Sequence, residues 1–277
     1  MLKFSVLMSV YKNEKPEYLK QAIESIVNQT LMPNEIVIVK DGLLTDELNQ
    51  VIKYYNDNYK NLFRIIAFSE NRGLGLALRE GVMACYNEYI ARMDTDDIAL
   101  PDRFEKQFNY LVMYPEIAIL GSWIKEFSNN PHKPDTQTKL PCTNEEILIY
   151  AKKRNPFRHM TVILKKAAVL DSGNYRDFLW FEDYDLWVRM LNKGHKGANL
   201  PLYLMNVRAE SDMFKRRGGW KYLKQDIRFQ QYLLKISFIN LYYFVFNILV
   251  RVVIRIVPNS IRLVFYKYAL RDRIKES

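Results

Sequence analysis

The chain has 277 residues, 49% hydrophobic and 14% aromatic, enough to bury one large core with or without an extension. Its two cysteines, Cys85 and Cys142, lack metal-ligand spacing and supply no disulfide framework, which fits a reducing cytoplasm. The net charge of +10 is uneven: residues 1–207 carry 26 basic and 26 acidic side chains, whereas residues 208–277 carry 15 basic and 5 acidic. That distribution argues against a nucleic-acid binder and for a neutral body with a basic tail suited to anionic lipid or acidic partners.

Residues 4–10 form a short apolar run without a small-residue cleavage pattern, and read as a first strand rather than a signal peptide. Leu19, Ala22, Ile23, Ile26 and Val27 then recur at helical spacing. Residues 35–39 predict a second strand, 45–55 a helix, 63–68 a third strand, 73–85 a helix and 88–93 a fourth strand. The alternation, with nearly continuous apolar early strands, predicts a mostly parallel α/β sheet covered on both faces. Ligands of such sheets bind beyond the carboxyl ends of the strands, where Asp41 and the Asp94 cluster both fall. Further on, a helix from about Pro101 to Tyr114, a strand over 117–121 and a polar, Pro-rich loop over 128–141 are expected. A helix over 145–153, a strand over 161–164, a helix over 183–192 and a late strand over 199–207 follow.

The run Ile90-Ala91-Arg92-Met93-Asp94-Thr95-Asp96-Asp97 ends a strand in three carboxylates. Their mutual repulsion costs stability unless a positive group sits among them, and Mg²⁺ or Mn²⁺ suits oxygen donors together with substrate phosphates. A solvated acidic turn ahead of a helix is the plainer alternative. Asp41 before Gly42 can accept hydrogen bonds from a base or ribose, or can simply make a turn. Asn71-Arg72-Gly73-Leu74-Gly75 sits at a strand-to-helix junction that favours phosphate, though Leu78 stands where a dinucleotide fingerprint needs its third glycine. Trp180-Phe181-Glu182-Asp183-Tyr184-Asp185 sets carboxylates among aromatics, as a sugar-stacking surface with a general base does, or as an acidic helix start over core rings does.

In order and approximate spacing these segments, with residues 5–13 and 22–30, resemble the family 2 glycosyltransferases over about residues 3–210, and most of all bacterial enzymes of surface-polysaccharide assembly. The resemblance implies a GT-A nucleotide-sugar fold for residues 1–210, followed by a basic, aromatic helical region over 211–277. It implies an inverting transfer from a nucleotide sugar, UDP-galactose or UDP-glucose, onto a glycan carried on a polyprenyl diphosphate. Tyr11, Asp41, Arg72 and Asp94 would hold the donor nucleotide. Asp96, with Asp94, would hold Mn²⁺ or Mg²⁺, and Asp97 is the fallback ligand. Asp183 would be the catalytic base, with Glu182, His159 and Trp180 on the acceptor side. Lys215-Arg216-Arg217 resembles a basic element that touches the diphosphate, and also reads as a solvated charge run.

The tail carries 15 residues without formal charge, 236–250, short of the roughly 20 that a spanning helix needs. It is expected to lie as one or two amphipathic helices on the cytoplasmic face of the inner membrane, a true span being the second possibility. Two rival functions remain: a metal-dependent phosphatase built on Asp94-Thr95-Asp96, which Ile98 fits poorly, and a membrane-bound sugar-nucleotide sensor without turnover.

Overall fold

A computed structural model describes residues 2–209, 219–256 and 272–273. In chain order the elements are β1 (Phe4–Val10), α1 (Pro16–Val27), β2 (Glu35–Lys40), α2 (Asp46–Asn58), β3 (Phe63–Ala67), α3 (Leu74–Ala84), β4 (Tyr89–Arg92), β5 (Ile98–Ala99), α4 (Arg103–Met113), β6 (Ile117–Phe127) and β7 (Thr136–Thr138). Then come α5 (Asn144–Ala151), a 3-10 turn (His159–Thr161), β8 (Ile163–Lys165), α6 (Lys166–Asp171), α7 (Glu182–Asn192), β9 (Lys196–Arg208), α8 (Gly219–Lys235), α9 (Leu241–Ile256) and β10 (Asp272–Arg273).

Strand order is β10-β7-β6-β8-β4-β1-β2-β3, and β9 pairs with β6 and β5. The β3-β2-β1-β4 half is parallel, as the alternating pattern demands. Beyond β4 the sheet becomes mixed, because β8 runs antiparallel to both β4 and β6, and β7 antiparallel to β6. A connection of residues 128–135 between β6 and β7 is a hairpin-type link, and such links join antiparallel neighbours. The expected loop over 128–141 therefore contains a short strand, and the strand expected to stop at Gly121 runs on to Phe127.

Two cores lie on the two faces. Phe4, Val6, Met8 and Val10 of β1 point one way, into a cluster with α1, α2 and α4, while Leu7 points the other way with Val37, Val39 and α3. That is the period-two alternation of a strand buried on both sides. Helix α1 starts with Pro16 in its first turn and buries Leu19, Ala22, Ile23, Ile26 and Val27. Helix α7 is buried nearly all round, with Trp187 among the rings of Phe157, His159 and Tyr175.

The C-terminal helices pack on the body. Phe229 of α8 is fully buried, stacked on Phe181 at 4.8 Å, 4.8 Å from Tyr184 and edge-on to Phe178 at 5.3 Å. Among the described residues no helix is long and apolar enough to cross a membrane. Lys215, Arg216 and Arg217 lie outside the described residues. If α8 is part of the folded body, Phe229→Ala should cost about 3–5 kcal/mol in a urea titration that reports on the sheet. A midpoint unchanged by that substitution would show α8 to be a passive tail.

Candidate active site

Three strand ends of the parallel half converge. Asp41 directly follows β2, and its N–H donates to Val10 O at the end of β1 (2.8 Å). Its buried carboxylate accepts from Arg72 N (2.7 Å), Gly73 N (3.1 Å) and Asn71 Nδ2 (2.9 Å). The loop ahead of α3 is thus folded around Asp41. Gly42 makes the close approach possible: its φ is +90° and a Cβ there would lie 2.7 Å from Asn71 N. Gly73, at φ +88°, caps α3. Arg72 is exposed, its guanidinium 4.9 Å over the Phe68 ring, and Tyr11 is exposed at the end of β1. Four residues expected to hold a nucleotide, Tyr11, Asp41, Arg72 and Asp94, therefore occupy neighbouring strand ends.

The acid loop follows β4. Asp94 accepts from Arg92 Nη2 at 2.6 Å, and Arg92 is itself 1% exposed, with no partner among the described residues for Nε and Nη1. Asp97 is buried and accepts from the main-chain N–H of Arg208 (2.9 Å), which anchors the loop to the end of β9. Burial, then the charges of Asp96 and Asp94, holds Asp97 well above the usual carboxylate range. Asp97 is thereby bound to the end of β9 and buried, while Asp94 and Asp96 are only partly buried. Asp96 is pushed up to about 7, by burial first and then by Asp94 and Glu14. Thr95 ties the loop to β1's extension by donating to Glu14 Oε2 (2.5 Å). Arg208 also donates to the Asp96 carbonyl (3.2 Å) and lies 3.6 Å over the Tyr18 ring. Below, Arg103 donates to the Arg92 carbonyl (2.8 Å), and burial together with the Arg92 charge lowers its pKa to about 9.

These residues fit a hard divalent cation. Two crowded carboxylates, one of them driven toward protonation, lose their repulsion when a cation sits between them. No three His, Cys, Asp or Glu side chains among the described residues are arranged to hold a metal alone. Such a site suits an ion completed by substrate phosphate oxygens.

The residues expected on the acceptor side lie at the N-terminus of α7, whose first turn carries Glu182, Asp183 and Asp185, a placement the helix dipole favours. Asp183 accepts from Asn155 Nδ2 (2.7 Å) and from Tyr184 N (2.7 Å). Asp185 is spent inside, paired with Arg189, whose Nη2 also donates to Asn174 O (2.8 Å) and so fixes the turn that presents Tyr175. Tyr175 Oη lies 2.9 Å from His159 Nε2. Burial first, with smaller contributions from the Asp183 and Asp94 charges, raises the Tyr175 hydroxyl above its ordinary pKa. Burial, then Arg92, holds His159 well below its ordinary pKa, so it is neutral at neutral pH. Trp180 adopts φ +70°, costly for a bulky side chain, and stacks on Tyr222 of α8 at 4.9 Å. Gly75 closes the gap between donor and acceptor sides: a Cβ there would lie 2.3 Å from Arg176 O and 3.0 Å from Glu182 Cγ.

Asn155, Glu14, Tyr175 and Tyr222 were not singled out as site residues from the sequence. Only Asn155 carried a signal, its position beside Pro156 and His159; the others are brought in by tertiary packing.

Burial raises Glu182 to about 7, with the Asp183 and Asp177 charges adding and main-chain N–H groups opposing. Its folded pKa exceeds the unfolded one, so the stability that Glu182 contributes is fully present below about pH 4.5 and is lost as pH rises through about 7. Glu182→Gln should therefore raise the melting temperature at about pH 8, by at most about 3 kcal/mol of stability, with the gain fading towards pH 5. A pH-independent effect would show that the carboxyl titrates normally.

The residues gathered here can be compared with known proteins. A family model described as glycosyl transferase family 2 matches residues 5–171. The amylovoran biosynthesis glycosyltransferase AmsE of Erwinia amylovora is 44% identical over 236 residues, 84% of this chain and 86% of its own. The UDP-Gal:alpha-D-GlcNAc-diphosphoundecaprenol beta-1,3-galactosyltransferase of Escherichia coli is 36% identical over 271 residues, 97% of each chain. The crystal structure of S. aureus TarS 1–349 in complex with UDP-GlcNAc shares the fold at a TM-score of 0.67 and 15% identity, covering 90% of this chain and 72% of that one. With a mixed sheet whose parallel half carries the acid loop at its strand ends, and a family match over most of that sheet, the chain belongs to glycosyl transferase family 2 and is a glycosyltransferase with a GT-A-like α/β fold.

Proposed function

We propose that the protein transfers a hexose, galactose or glucose, from its UDP derivative onto a glycan carried on a polyprenyl diphosphate, in bacterial surface-polysaccharide synthesis. The observation that carries the reading is that the Asp41–Arg72 and Asp94–Asp96 loops both follow ends of parallel strands, while Asp183 starts α7 beside Glu182, which lies close against Gly75 of α3. The naming of the E. coli relative for a UDP-galactose donor and a diphosphoundecaprenol acceptor supports the substrate class.

In this reading Asp41, Arg72, Tyr11 and Asp94 receive the nucleotide. Asp96, with Asp94, would hold Mn²⁺ or Mg²⁺, which when bound supplies charge neutralisation for the departing diphosphate. Asp183, oriented by Asn155, takes the proton of the acceptor hydroxyl. The hydroxyl oxygen then bonds to the anomeric carbon from the face opposite the nucleotide, the bond to the diphosphate oxygen breaks, and UDP leaves with inversion. Glu182, His159 and Trp180 shape the acceptor side. Residues 1–210 form the catalytic unit, and residues 211–277 hold it peripherally at the cytoplasmic face of the inner membrane. Membership of a glycosyltransferase family removes the ground for the phosphatase reading.

Purified protein, Mn²⁺ and a synthetic polyprenyl-diphosphate N-acetylhexosamine should yield one added hexose and free UDP from a panel of UDP-, GDP- and dTDP-sugars, scored by mass. Binding without turnover on any donor would favour the sensor. Asp183→Asn should lower kcat by about 10²–10⁴-fold with donor affinity little changed, whereas Asp96→Ala should weaken both. Undiminished turnover in Asp183→Asn would remove the base assignment.

A further inference from the structure

Two polar side chains of α9, Asn247 and Arg251, face the protein beside Tyr243 and Phe244, which pack on the core. Asn247, 1% exposed, donates to Lys152 O (2.8 Å) and to Gln230 Oε1 (2.8 Å). Arg251 donates to Asp226 Oδ1 (2.6 Å) and to Lys153 O (3.0 Å). The inward polarity has a local cause. Carbonyls at and just beyond the end of α5 have no helical partner of their own, and Tyr184, Asn247 and Arg251 supply donors to residues 151, 152 and 153 in turn.

The outward face has no such explanation. Leu241, Tyr242, Val245, Phe246 and Leu249 follow one another at helical spacing and stand exposed, Tyr242 by 72% and Leu249 by 62%. A surface helix in water carries the opposite arrangement. An apolar stripe rimmed by polar groups marks a contact surface. Here the rim is basic. The Lys153 ammonium lies 5.7 Å from the Phe246 ring, and those of Lys152 and Lys153 lie 5.6 and 5.8 Å from the Tyr243 ring. No acidic residue occurs between 241 and 256.

We infer that the outward face of α9, together with Lys152 and Lys153 of the catalytic body, is a lipid-binding surface that beds into the boundary of headgroups and acyl chains in an anionic membrane. An apolar face with a Lys-rich rim is what such a boundary accepts. A second copy of the chain would offer the same basic rim and no acid on its own α9 to answer it. The inference deepens the membrane part of the proposed function and is independent of the sugar chemistry. It adds that the body itself touches lipid, so attachment also sets orientation: α9 is pinned to α5 and α8, and α8 carries Tyr222 and Phe229 against Trp180 and Phe181 beside Asp183.

The test is flotation of the full-length protein with phosphatidylcholine vesicles, with and without phosphatidylglycerol. The native chain should float with anionic vesicles. Val245→Glu with Leu249→Glu should weaken partitioning by at least about a hundredfold. Lys152→Glu with Lys153→Glu, both surface changes, should weaken it about tenfold or more on anionic vesicles and leave neutral vesicles unaffected. Both double variants should keep transfer to a short-chain, water-soluble acceptor. A native chain that fails to float overturns the membrane reading altogether. A native chain that floats, joined by a glutamate variant that floats equally well, leaves peripheral attachment standing but rejects this surface. A native dimer that the glutamate pair converts to monomers, with flotation unchanged, assigns the stripe to a second copy.

Discussion

The acid loop after β4 constrains the rest of the structure. Three aspartates within four residues, 94, 96 and 97, repel one another, and the fold answers with three arginines placed at different depths. Arg92 is buried beneath Asp94, Arg103 braces the main chain of Arg92 from the first turn of α4, and Arg208 closes over the loop from β9. Burying arginine is costly unless the charge is matched. Arg92 and Asp94 match each other directly at 2.6 Å, while Arg103 and Arg208 hold the loop through main-chain carbonyls. The division of labour among the acids follows. Asp97, turned inward to the Arg208 N–H, acts as the loop's anchor, and Asp94 and Asp96 are left at the rim. Burial first, and then the Asp94 and Glu14 charges, pushes Asp96 up to about 7, and both effects would be relieved by a cation with phosphate ligands.

The same economy governs the acceptor end. Helix α7 starts with a costly left-handed Trp180 and places Asp183 where the helix dipole favours a carboxylate. Strain at one residue is sustained because its ring is held by Tyr222 and the next ring by Phe229. The C-terminal helices are thus part of what shapes the site. A boundary drawn at residue 210 marks where charge and composition change, while packing carries the fold across it.

Much of this was legible in the chain. Continuous apolar runs at 4–10 and 35–39, separated by a helical period, specify parallel strands buried on both faces, and chemistry then belongs at their carboxyl ends. The order and approximate spacing of the segments around Asp41, Arg72, Asp94 and Asp183, together with residues 5–13 and 22–30, carry the family resemblance. Other features were not legible, for reasons that are physical. Thr136–Thr138 is too short and polar to announce itself as a strand, and exists because β6 offers it a partner. The register of the three aspartates depended on a main-chain N–H at Arg208, 111 residues away. Asn155 reaches Asp183 across 28 residues, which no local pattern encodes.

Helix α9 shows the limit most clearly. Periodicity reveals that a helix has two unlike faces, but not which one turns inward. By default the apolar face is buried. In this molecule α9 turns Asn247 and Arg251 inward beside Tyr243 and Phe244, because the carbonyls of residues 152 and 153 beyond α5 need donors that these two side chains supply. Once those polar contacts are made, the helix has no freedom left to hide Leu241, Val245 and Leu249. The apolar exposure is the consequence of a hydrogen-bonding requirement met elsewhere. A membrane-facing surface can arise in this way without any segment long enough to enter the bilayer: the outward face need only be apolar, and the inward face need only be tied to a rigid body that already carries the chemistry.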